Sequence, residues 1–124
     1  MKIGLDVHGV IDQHLGFWAI VTDLLVNNGH EVHIITGLTK KDYDQKALST
    51  WIKFTHFHSI TDNLHENGQV YKTDIHGRKY FDEYEWNTAK AKYCDAFGIE
   101  VMLDNSDIYG KYFSTPYFKI GRIK

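Results

Sequence analysis

The sequence predicts an α/β domain whose mainly parallel sheet is covered by helices on both faces. Three observations carry this expectation. Short apolar runs near residues 2–6, 31–36 and 100–104 have the composition of buried strands. Between them lie segments whose apolar residues recur at helical spacing. Each run also ends on a polar residue, Asp6, Thr36 or Asp104. Sheets of this class bind ligands beyond the carboxyl ends of their strands, so the three tips suggest one site.

The elements follow in order. A first strand over residues 2–6 delivers Asp6 to a turn, with Gly9 close behind. Residues 7–16 mix apolar and polar side chains and read as irregular. A helix is expected over 17–28, where Phe17, Ile20, Val21, Leu24 and Leu25 recur at helical spacing and Gly29 stands as its stop. The second strand covers 31–36. Thr39 then reads as an N-cap with Asp42 as its capping-box partner, opening a helix over 40–54. A third strand is expected at 57–61 and a short helix at 62–66, stopped by Asn67-Gly68. Residues 69–85 are the hardest to read. His76-Gly77 is placed to turn a hairpin between 70–75 and 79–84. Asn87 or Thr88 caps a helix reaching Phe97, with Gly98 as its stop. A fourth strand at 100–104, a short helix after Ser106 and a last strand near 117–120 complete the pattern.

Size and charge bound the function. A chain of 124 residues is one domain, 1–124, with room for a real core. Its 14 basic and 16 acidic residues leave a formal charge of -2, which gives no reason to expect a nucleic-acid or membrane surface. Cys94 is the sole cysteine, so no internal disulfide can form. No apolar run has the length of a membrane span, and Asp6 interrupts the opening stretch too early for a signal peptide. A cytoplasmic location is the expectation.

The chemistry-bearing residues each read two ways. Asp6 is a nucleophile and Mg²⁺ ligand, or a turn cap. Thr36 and Gly37 offer a hydroxyl and backbone N–H groups to phosphate oxygens, or form an ordinary strand-to-helix turn. Lys90, placed in the first helical turn by a cap at Asn87, opposes the helix dipole there by about 0.3–1 kcal/mol. That position suits a cation held for Asp6, Asp104 and a phosphate. A solvated lysine is the plainer reading, and Lys92 competes. Asp104 ends an apolar strand and points to a metal, and Asp107 divides evenly between ligand and cap. The scattered histidines, His30, His33, His56, His58, His65 and His76, lack a second ligand pair at useful spacing for zinc.

Four segments together resemble the motifs of the haloacid dehalogenase (HAD) superfamily of phosphatases and phosphotransferases. Asp6 in Leu5-Asp6-Val7-His8-Gly9-Val10 matches the nucleophile motif, and Ile34-Ile35-Thr36-Gly37 the phosphate-binding motif. Lys90 matches the family lysine, and Val101-Met102-Leu103-Asp104-Asn105-Ser106-Asp107 the acidic metal motif. Each is weak singly, whereas the ordered set spanning residues 3–107 is fairly specific. The resemblance implies a Rossmann-like three-layer sandwich without a large cap domain, and Mg²⁺ bound by Asp6, the His8 backbone carbonyl, Asp104 and Asp107. It also implies phosphomonoester hydrolysis through an aspartyl-phosphate on Asp6, with the phosphoryl group held by Thr36, Gly37 and Lys90.

At His8 the chain departs from the family pattern, which usually has a second aspartate there as acid and base. An imidazole with an ordinary pKa of about 6.5 can do that work. The same substitution is expected of a catalytically impaired module that binds metal and phosphate ligands or a protein partner. The implied substrate is a small phosphorylated molecule, nucleotides and sugar phosphates included. Nucleic acid is not indicated, although 3′-phosphate ends remain open, and no membrane partner is expected. A receiver-type phosphoacceptor ranks last, because Asp6 has no adjacent acid.

Overall fold

A computed structural model of the chain describes residues 1–121, apart from the side chain of Tyr71. Its centre is a five-stranded sheet of order β3-β2-β1-β6-β7. The strands are β1 (Lys2–Leu5), β2 (Glu31–Thr36), β3 (His56–Ser59), β6 (Val101–Asp104) and β7 (Tyr117–Lys119). Every neighbouring pair is parallel. The chain builds outward from β1 through β2 to β3, then crosses back to β6 and β7. The strand order therefore reverses between β1 and β6, where this class of sheet opens its ligand crevice.

Alternation along the strands sorts two cores. Ile3, Leu5, Val32 and Ile34 face one side and pack with Trp18 of α1 (Leu15–Asn27), Tyr43 of α2 (Lys40–Gln45) and Leu48 of α3 (Leu48–Trp51). Ile35 and Met102 face the other side, against Ile60 and Leu64 of α4 (Ile60–Glu66) and Tyr93 and Cys94 of α5 (Glu83–Phe97). The fold is thus the expected three-layer, Rossmann-like α/β sandwich, with no large cap among the described residues. The expected hairpin forms as β4 (Val70–Thr73) and β5 (Lys79–Phe81), antiparallel and outside the main sheet. No helix among the described residues is long and apolar enough to cross a membrane.

Several boundaries differ from expectation. α1 starts at Leu15 and buries Trp18 and Thr22, while Phe17, Ile20 and Leu24 stay exposed. The helix expected over 40–54 breaks at Ala47, whose φ of 56° is left-handed. The break lets Tyr43, Leu48 and Ile52 all enter the core, and the Tyr43 ring packs 4.8 Å from that of Phe57. The third strand is His56–Ser59, because Ser59 caps α4 through the Asp62 N–H at 3.0 Å. The helix expected from Asn87 or Thr88 starts at Glu83, with Asp82 accepting from the Glu85 N–H at 3.1 Å.

Candidate functional site

The carboxyl ends of β1 and β6 bring Asp6 and Asp104 to one point. The Asp6 N–H donates to the Leu103 carbonyl at 3.0 Å, which extends the β1–β6 ladder and fixes where the carboxylate emerges. Lys90, from the middle of α5, reaches between the two acids. Its Nζ stands 2.9 Å from Asp6 Oδ1 and 2.7 Å from Asp104 Oδ2. All three residues are buried, Asp104 completely. A buried ion pair must recover the cost of leaving water through close contacts, and here one ammonium serves two carboxylates.

The cluster carries two acids against one base, and its electrostatics show the excess. Burial pushes the Asp6 carboxyl up to about 6, with Lys90 opposing the rise and Asp104 adding to it. For Lys90, burial favours the neutral amine, but Asp6 and Asp104 outweigh it and hold the ammonium above its ordinary range. The surplus negative charge suits an added cation.

Further oxygens converge beside it. The Asn105 amide lies against the His8 carbonyl oxygen and Asp104 Oδ1. Turned nitrogen-inward, it donates to them at 3.1 and 3.3 Å. Gly9 makes this approach feasible: its φ is +78°, and a Cβ there would collide with the Asn105 side chain. The His8 carbonyl and the carboxylates of Asp6 and Asp104 offer oxygen donors here, the preference of small hard divalent cations.

An open cavity of about 370 Å³ stands over the cluster, lined by Asp6, His8, Gly37, Trp86, Lys90 and Tyr109 among others. His8 is exposed, and its Nδ1 lies 3.3 Å from Asp12 Oδ2. Asp12 also accepts the Gly9 N–H at 2.7 Å, so it shapes the turn and steadies the imidazole. Asp12 lies in the segment that read as irregular, and the signal for this role is a carboxylate four positions after His8. Thr36 is fully buried at the tip of β2, and its Oγ1 accepts the Leu38 N–H at 3.1 Å. The Gly37 carbonyl accepts from Thr61 Oγ1 at 2.6 Å, and Gly37 leaves room for the Trp86 ring. That ring stacks on Phe81 of β5, and its Nε1–H donates to the Tyr109 hydroxyl at 2.9 Å.

The structure therefore gathers Asp6, His8, Gly37 and Lys90 about one cavity, with Asp104 buried against Lys90 and Thr36 at the same edge of the sheet. The Asp107 carboxylate is 78% exposed and pairs with Lys119 at 2.5 Å. Lys90 keeps its expected place by a different cause. It lies well inside α5, so its burial and not a first-turn position makes it informative. Lys92 pairs with Glu85 at 3.3 Å on the outer surface. The chain matches no family model, no curated protein and no solved structure at a significant level.

Proposed function

We propose that the chain is a phosphomonoester hydrolase of the HAD type, working with Mg²⁺ through an aspartyl-phosphate on Asp6. The observation that carries this reading is the Lys90 ammonium bridging Asp6 and Asp104 at the floor of an open cavity. Asp6, the His8 carbonyl and Asp104 would hold the ion, with the Asn105 amide orienting the latter two. Bound there, Mg²⁺ would offset phosphate charge and orient the phosphoryl group.

The chain's own residues account for the remaining chemistry. An Asp6 carboxylate oxygen attacks phosphorus as the bond to the leaving alkoxide breaks. Lys90 fixes the nucleophile and faces the negative charge of the phosphoryl oxygens. The Gly37 turn borders the same cavity and supplies backbone donors, with the Thr36 hydroxyl beside it. His8 gives a proton to the leaving oxygen. In the second half it takes a proton from the water that attacks phosphorus, which releases Asp6 and inorganic phosphate. Asp12 engages His8 Nδ1, which leaves Nε2 for the transfer. An uncapped cavity suits a small phosphorylated metabolite, nucleotides included, or an exposed phosphate end.

A second reading has one observation in its favour. His8 replaces a carboxylate and stays largely exposed, 58% at the side chain, as expected of a module that binds phosphate ligands without turnover. One paired assay separates the two. The purified chain should release phosphate from an aryl phosphate only with Mg²⁺, and Asp6→Asn should abolish release. Full activity in Asp6→Asn would sink the hydrolase reading. An inactive parent that gains turnover in His8→Asp would establish the second.

A further inference from the structure

The opposite end of the sheet carries a cluster that the hydrolase chemistry does not use. Glu31 opens β2, His33 follows two positions later, and His56 opens β3. Parallel pairing sets His33 directly beside His56. Residues two apart on a strand share a face, so Glu31 and both imidazoles emerge together beneath α5. The histidines looked scattered in sequence because this register joins strands separated by two helices.

The distances suit a tetrahedral ion. Glu31 Oε1 lies 2.9 Å from His33 Nε2 and 3.7 Å from His56 Nδ1. Three ligand atoms, one from each residue, fall within 4.8 Å of one another. Ligands bound about 2.0–2.1 Å from tetrahedral zinc stand about 3.4 Å apart, and the two separations from Glu31 bracket that spacing. The imidazoles stack at 4.1 Å with an interplanar angle of 4°, which holds the two rings side by side.

The surroundings favour ligation too. The Tyr93 hydroxyl lies 2.7 Å from His33 Nδ1. A partner on the far nitrogen orients a ligating imidazole and sets its tautomer. His33 is buried, whereas Glu31 and His56 are 39% and 47% exposed, which leaves an entry path and space for a water ligand. Thr55 Oγ1 also lies 2.8 Å from His56 Nδ1, a hydrogen bond that ion binding would exchange.

We propose that Glu31, His33 and His56 form a second metal site, for a zinc-class transition ion, at the end of the sheet away from Asp6. Two imidazoles and a carboxylate suit Zn²⁺, whereas Mg²⁺ prefers the oxygen donors at the other end. The test is calorimetric titration of the full chain with Zn²⁺ in excess Mg²⁺, which keeps the two sites distinguishable. One Zn²⁺ per chain is expected, and Co²⁺ should give the intense visible bands of a tetrahedral site. His56→Ala and Glu31→Gln change partly exposed side chains, and circular dichroism checks their folding. Each should weaken Zn²⁺ binding about 10-fold or more. Absence of binding to the parent chain, or unchanged affinity in either folded variant, overturns the proposal. Phosphate release with Mg²⁺ alone stands or falls separately.

Discussion

Tyr43 sits in the core with no partner for its hydroxyl among the described residues. An unsatisfied buried polar group costs about 1–3 kcal/mol. Tyr43→Phe is therefore expected to stabilise the chain by about 1 kcal/mol in denaturant unfolding at neutral pH. Burial also pushes the phenol up to about 12, from an ordinary value of 10.0. Between those values the unfolded chain has lost the proton and the folded chain keeps it. Stability falls as pH rises through that window, because the unfolded state binds fewer protons. Tyr43→Phe should remove this group's share of the alkaline loss, and identical alkaline slopes in both proteins would contradict the assignment. Residue chemistry made part of the site legible. Asp6 and Asp104 each end an apolar run, and their pairing within the ordered set of motifs marked them. Asn105 was not singled out as a site residue, because its role arises from a backbone carbonyl that no residue type announces; Asp12 was passed over inside a segment that read as irregular.

At the scale of elements, α5 decides where Lys90 points. Its cap is Asp82, with Glu85 three residues later in the sequence pattern of a capping box. That signal was present but lay inside the ambiguous hairpin region, so the later Asn87 drew the assignment. Loss of an N-cap costs about 1 kcal/mol, within a range of about 0.5–2. Asp82→Ala should lower stability by that amount in thermal or denaturant unfolding. Lys90 lies two turns inside the helix, so fraying of the first turn should leave its bridge intact and phosphate release nearly unchanged. A loss of activity larger than the loss of stability would show that the helix start positions the lysine. The break at Ala47 was illegible for another reason. Local propensity allows a continuous helix there, and only packing of Tyr43 and Leu48 against the sheet favours the left-handed turn.

Across the whole molecule, strand order and register create what the sequence holds apart. Alternating strand and helix patterns predicted the parallel sheet and its carboxyl edge, and that edge carries Asp6 and Asp104. Which strand lies beside which was not written in any local pattern. The meeting of His33 with His56 depends on that neighbourhood and stayed hidden. The two ends of one sheet therefore carry two kinds of donor, oxygens at the carboxyl end and imidazoles with one carboxylate at the amino end. The central claim concerns the first of these: Asp6 is a nucleophile, not merely a buried acid. Acid quenching during Mg²⁺-supported turnover of an aryl phosphate, followed by peptide mass mapping, tests it most directly. A phosphoryl group on Asp6 is the predicted result. Sustained phosphate release with Asp6 unmodified, or with the phosphoryl group on another residue, would contradict it.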